Sequence, residues 1–144
     1  MENGLISDEQ ITASSEFDEY HAVNQSRLRF QPTSGKAGAW VVLTTDANQW
    51  LQVDLDSLNT TVTRLATQRR EDNEEWVTNY NLQYGDNEVN LHYYREEGET
   101  VTKVIHCYRS LTKKKPFSIT VTITMTMTMT VTVAVAIALA ITIT

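Results

Sequence analysis

The sequence predicts an all-β domain, an antiparallel sandwich or jelly roll followed by a low-complexity C-terminal tail. Three observations predict it. Apolar and polar residues alternate in short runs between residues 5 and 91, no long stretch repeats its apolar positions at helical spacing, and polar turn-forming runs separate the segments. The clearest strand is Trp50-Leu51-Gln52-Val53-Asp54-Leu55, in which Leu51, Val53 and Leu55 face one way and Trp50, Gln52 and Asp54 the other. Residues 61–67 supply a second strand after the Asp56-Ser57-Leu58-Asn59 turn, and residues 76–84 a third. The polar runs at 69–75 and 85–88 read as loops. Several short strands joined by long connections are the pattern of a sandwich or jelly roll.

A chain of 144 residues holds one ordinary domain with extensions. Its charge is split. Residues 1–98 carry seven Lys+Arg against seventeen Asp+Glu, and residues 99–144 carry five against one. The acidic part lacks the clustered cations that neutralise phosphates, which excludes non-specific nucleic-acid binding and does not suit an anionic membrane surface. The lone Cys107 cannot form an internal disulfide. His21, His92 and His106 have no metal-ligand spacing, and no phosphate loop, nucleophile elbow or zinc-protease motif is present. Adjacent carboxylates such as Asp18 with Glu19, or Glu74 with Glu75, lie on one loop and do not flank a scissile bond. Nothing in the sequence supports an enzyme. Residues 1–8 lack the basic and apolar regions of a signal peptide, so either the chain stays inside the cell or its true N-terminus lies beyond this sequence.

The chain divides at 1–98, a β-sandwich; 99–118, a basic linker that includes Lys113-Lys114-Lys115-Pro116; and 119–144, built only of Ile, Val, Leu, Met, Ala and Thr. Three readings of that tail stand open. Its 26 uncharged residues are long enough to cross a bilayer as a helix and would attach the chain to a membrane. Its two-residue period and β-branched content instead suit strands that replace closing strands of the sandwich or aggregate. The same regularity is what a translated nucleotide repeat would give.

Ordered motifs carry a resemblance. The run at residues 6–15, then Ser26-Arg27-Leu28, Gly38-Ala39-Trp40, residues 48–55, Ala66-Thr67-Gln68 and Trp76-Val77-Thr78-Asn79-Tyr80 resemble, in order and spacing over residues 4–94, a discoidin domain, the type C domain of coagulation factors V and VIII. The resemblance implies an eight-stranded jelly roll of the galactose-binding-like class, whose loops at one end bind glycans, lipid head groups, collagen or protein partners outside the cell. It also implies terminal cysteines joined in a disulfide and an Arg-rich closing strand pair. Neither is matched here: Ile105-His106-Cys107-Tyr108 does not fit that ending, so the domain reads as lacking its usual closing strands.

Structural roles fall to Trp40 and Trp50 as core aromatics, to Arg27 and Asp54 as partners in a semi-buried ion pair, and to Gly38 as a turn of positive φ. The resemblance implies ligand-binding loops, two of them placed by position at 16–22 and 69–75, with 43–48 a third candidate. Their candidate residues are Phe17, Asp18, Tyr20, His21, Asp46, Asn48, Arg69, Arg70, Asp72 and Glu74. An aromatic face packs on a pyranose while Asp, Asn, Glu and Arg bond its hydroxyls, and carboxylates with backbone oxygens could hold Ca²⁺. Asn24-Gln25-Ser26 and Asn59-Thr60-Thr61 match glycosylation acceptors. The expectation is a non-catalytic extracellular or cell-surface adhesion module for a glycan or a matrix or cell-surface protein. A carbohydrate-targeting appendage of an enzyme and a membrane-anchored adhesion segment are the alternatives.

Overall fold

A computed structural model of the chain describes residues 6–55, 62–70, 73–85, 90–106, 124–130 and 136–143. In chain order its strands are β1 (Ile11–Ala13), β2 (Trp40–Val41), β3 (Gln49–Asp54), β4 (Val62–Gln68), β5 (Asn79–Gly85), β6 (His92–Tyr93), β7 (Val104–His106), β8 (Thr124–Thr130) and β9 (Ala136–Ile143). Two single 3₁₀ turns, Glu19–His21 and Val23–Gln25, lie between β1 and β2. All the strand pairings are antiparallel. One sheet runs β1-β3-β8-β5, with β6 and β7 sharing the far edge of β5, and a smaller sheet runs β2-β9-β4.

Side-chain parity builds both sheets. In β3 the buried Leu51 and Val53 alternate with the half-buried Trp50 and Gln52, and in β5 Tyr80 and Leu82 are the buried pair. Leu51 and Leu82 are register partners of Met127, whereas Trp50 and Asn81 are partners of Thr128. Ile11, Leu51, Val53, Tyr80 and Leu82 from the large sheet and Trp40, Val62 and Leu65 from the small one join in one buried cluster. A single core shared by two antiparallel sheets is a sandwich.

Val62 and Leu65 are three positions apart and would face opposite ways on a regular strand. Both are buried in the core because the register slips between Val62 and Arg64, where β4 advances two residues against one of β9. This bulge was not legible in the sequence.

The residues read as strands at 50–55, 61–67 and 76–84 form β3, β4 and β5 with shifted ends. The described parts of the tail lie in strands: β8 pairs with β3 and β5, and β9 with β2 and β4. No helix among the described residues is long and apolar enough to cross a membrane. Trp40 is fully buried, while Trp50 sits half-buried on the opposite face from Leu51, so only the first of the two is a core aromatic. The positive φ expected at Gly38 is found instead at Gly98 (84°) and Arg29 (58°).

Candidate functional site

Two of the three loops singled out above, 16–22 and 43–48, are tied together by a polar hub. Gln49 begins β3 on the same side as Leu51 and Val53 and is 6% exposed, so its amide must be satisfied internally. Its Oε1 accepts from the hydroxyls of Ser14 (2.7 Å) and Ser15 (2.8 Å), and its Nε2 donates to Asp46 Oδ1 (3.0 Å). Around it, the Leu43 N–H donates to Ser15 Oγ (3.2 Å), the Phe17 N–H to the Val41 carbonyl (2.9 Å) and the Trp40 indole to the Ser15 carbonyl (2.8 Å). Loop 43–48 thus lies beside the start of loop 16–22. Asp46 also accepts from the Asn48 N–H (2.7 Å), and that bond, then Gln49, holds its carboxyl below its ordinary value.

Loop 16–22 is shaped by its own carboxylates. Asp18, in extended backbone, caps the first 3₁₀ turn by accepting from the His21 N–H (3.0 Å). Glu16 Oε1 accepts from the Val23 N–H (2.6 Å). The Tyr20 carbonyl accepts from the Ala37 N–H (2.7 Å) and from Gln25 Nε2 (2.8 Å). Phe17 and Tyr20 both meet the His21 ring edge-on, at 5.4 and 5.0 Å between centroids. Phe17 nonetheless remains 54% exposed, and Leu43 on the adjacent loop 61%.

His21 joins this loop to the next. Its Nδ1 lies 2.6 Å from Asp18 Oδ1 and its Nε2 3.2 Å from Arg70 Nη1. Arg70 is nearly buried, and the same Nη1 donates to Glu75 Oε2 (2.9 Å) while its backbone N–H donates to the Glu75 carbonyl (3.0 Å). The hydrogen bond from His21 lowers the pKa of Asp18. Glu74 is exposed on the turn that Asn73 closes by accepting from the Glu74 N–H (2.9 Å). The His21–Arg70 contact thus joins the loop of Phe17 to the loop of Glu74 along one rim.

Phe17, Asp18, Tyr20, His21, Asp46, Asn48, Arg70 and Glu74 are thus gathered at that rim by the contacts above, and Arg69 adjoins Arg70 in sequence. Asp72 lies outside the described residues, as does Asn59. Arg70 is turned inward, with Glu75 and His21 as partners, so its charge is not offered to a ligand as the sequence alone suggested. Gln49 and Ser15 were missed. The signal available for Gln49 was parity: it continues the inward series of Leu51, Val53 and Leu55, and a polar residue at an inward position marks a network.

Away from the rim, Arg27 takes Asp8 as an ion-pair partner, which lowers the Asp8 carboxyl below its ordinary value of 3.8, while Asp54 is exposed at the end of β3. Asn24, part of a glycosylation tripeptide, is half-buried with its Nδ2 donating to Asp8 Oδ2 (3.2 Å), and Ser26 is fully buried. Among the described residues no group of three or more His, Cys, Asp or Glu is placed to hold a metal ion.

Chemically, the rim offers an exposed aromatic ring and an exposed leucine amid Glu16, Asp18, Glu19, Asp46 and Glu74, with Arg70 withdrawn and Arg69 half-buried. Carboxylates accept from hydroxyls or ammonium groups and repel phosphates, while an aromatic face packs on the C–H face of a sugar.

Residues 10–132 match the model of the F5/8 type C domain family. Retinoschisin of Takifugu rubripes is 40% identical over 101 residues, 67% of this chain and 35% of that protein. Coagulation factor V of Sus scrofa is 36% identical over 110 residues, 72% of this chain and 5% of that protein. The chain thus spans well under half the length of these relatives. Among solved structures, recombinant discoidin II of Dictyostelium discoideum superposes with a TM-score of 0.73 at 20% identity, covering 96% of this chain and 55% of that one. That likeness is one of fold.

Proposed function

The chain belongs to the F5/8 type C domain family, and from that premise we propose that it is a non-catalytic recognition module acting outside the cell, binding a neutral glycan or a basic extracellular protein at the loop rim. The observation that carries this reading is the exposed Phe17 ring, braced edge-on against His21 and ringed by carboxylates. Bracing matters because an aromatic platform already ordered before binding loses little conformational freedom on contact. Binding by contact complementarity needs no bond making. Three of the rim carboxylates have partners within the chain: Asp18 bonds His21, Asp46 bonds Asn48 and Gln49, and Glu75 bonds Arg70.

A second reading has one observation in its favour. Phe17 and Leu43, on adjacent loops and both more than half exposed, could enter a membrane interface. The acidic surroundings oppose an anionic one. The test is to apply the full chain to a glycan array, to immobilised basic matrix proteins and to phosphatidylserine vesicles, alongside Phe17→Ala and Leu43→Ala. Saturable glycan or protein binding weakened about tenfold or more by Phe17→Ala, roughly the 1.4 kcal/mol of one good aromatic contact, supports the proposal. Binding indifferent to Phe17→Ala, or vesicle binding that Phe17→Ala and Leu43→Ala abolish with no glycan or protein ligand, overturns it.

A further inference from the structure

The hub at the start of β3 has a fixed direction. An ionised carboxylate only accepts, so the NH₂ of the Gln49 amide faces Asp46 at 3.0 Å and the carbonyl oxygen faces the serines. Two hydroxyls meet that oxygen, Ser14 at 2.7 Å and Ser15 at 2.8 Å, one for each lone pair. A hydroxyl has a single proton, and both are spent on Gln49. Ser14 Oγ is left to accept from the Trp50 N–H (3.1 Å) and Ser15 Oγ from the Leu43 N–H (3.2 Å). Asp46, whose carboxyl is held below its ordinary value by Asn48 and then Gln49, is ionised at neutral pH and completes the series. Reversing the polarity of one member breaks the order of donors and acceptors.

We propose that Gln49 is the positioning residue of the recognition rim: its amide holds loop 43–48 against the Ser14-Ser15 segment, so that Leu43 and Phe17 meet a ligand as one surface. The inference rests on the reading of the rim as the ligand site and deepens it. Residues 15–17 and 41–43 run alongside in opposite directions, joined where Leu43 donates to Ser15 and where Phe17 donates to the Val41 carbonyl. Each segment carries one of the two exposed apolar side chains of the rim, Phe17 and Leu43. Gln49 is 6% exposed and acts on both ends of loop 43–48 indirectly, on Leu43 through Ser15 and on the middle of the loop through Asp46. Asp46, a candidate ligand contact by its charge, is thereby an anchor of its own loop. A surface set in place before contact loses little conformational freedom on binding.

The test reverses polarity across the Gln49–Asp46 bond. Gln49→Glu keeps the side-chain length and still accepts from both serines, but sets a carboxylate against Asp46. Adding Asp46→Asn returns a donor to the pair with its direction reversed. Amide hydrogen exchange in the full chain at pH 8, well above ordinary carboxyl values, follows loop 43–48, with β5 as the internal reference for opening of the whole fold. In Gln49→Glu, exchange in 43–48 should rise about tenfold more than in β5, the scale of one lost hydrogen bond. The double variant should return it to the wild-type rate, which a glutamine needed only for core packing would not produce. Glycans or basic matrix proteins that bind the wild type should bind Gln49→Glu about tenfold more weakly and recover in the double variant. A panel without any binder counts against the rim as ligand site, and exchange, which needs no ligand, then decides the role of Gln49. Exchange in 43–48 that is unchanged in Gln49→Glu, that rises only in step with β5, or that the double variant fails to restore overturns the proposal, as does binding that Phe17→Ala weakens and Gln49→Glu leaves intact.

Discussion

Trp40 is fully buried, and its indole N–H donates to the Ser15 carbonyl at 2.8 Å, at the point where the chain leaves β1 for the rim. Trp40→Phe keeps an aromatic ring in the core but deletes that donor. Leaving a buried acceptor without its partner costs about 1–3 kcal/mol. The smaller ring also leaves a void, and at about 24 cal/mol per Å³ a void of about 40 Å³ adds about 1 kcal/mol. The expected loss is about 2–4 kcal/mol, which for a domain of this size lowers Tm by about 6–15 °C. Trp50→Phe is the internal control. Trp50 is half-buried on the outer face of β3, so its truncation should cost about 1 kcal/mol or less. Urea and thermal unfolding followed by circular dichroism measure both. A loss below about 1 kcal/mol for Trp40→Phe, or equal losses for the two variants, would refute the reasoning that burial separates the core Trp40 of β2 from the half-buried Trp50 of β3.

Further predictions test other links. In Gly85→Ala the new Cβ would collide with the Asn90 carbonyl oxygen, a backbone atom with little room to yield, so a destabilisation of about 1–3 kcal/mol is expected in urea unfolding. The Arg27 guanidinium holds the Asp8 carboxyl below 3.8, so the pair stabilises the fold above that pH and the contribution disappears as pH falls through the lowered folded value. Because Asp8 is 55% exposed, Asp8→Asn should cost only a few tenths to about 1 kcal/mol at neutral pH, with wild type and variant converging in acid unfolding once pH falls below the lowered Asp8 value. Ser26 Oγ is buried without a hydrogen-bond partner among the described residues, so Ser26→Ala should leave stability unchanged or raise it by up to about 1 kcal/mol, measured by the urea midpoint. Phe17→Ala should leave that midpoint within about 0.5 kcal/mol of wild type while removing binding, because the ring is mostly exposed.

The strands legible in advance were those with one wet face and one dry. Residues 50–55 announced β3 because alternation is the direct imprint of a half-buried pleated strand. Strands β1, β2, β6 and β7, of two or three residues each, leave no such imprint, since alternation needs several repeats to stand out from chance. The rim was legible as three polar loops, and Phe17 as an aromatic among charges. That Arg70 turns inward was not, because Arg69 and Arg70 are equivalent in sequence and differ only in which one finds an acceptor from another segment.

What the amino-acid order determined unaided is periodicity, and with it the β class, the face of each long strand and the acidic character of the loops. These are properties of neighbours along the chain. Tertiary structure alone decided the partners: that Met127 falls opposite Leu51 and Leu82, that a bulge turns Val62 and Leu65 to the same side, and that His21 meets an arginine 49 residues away. The physical reason is that register and long-range hydrogen bonds depend on how two sheets close over a common core. That closure is a property of the whole chain at once, and no window of sequence contains it.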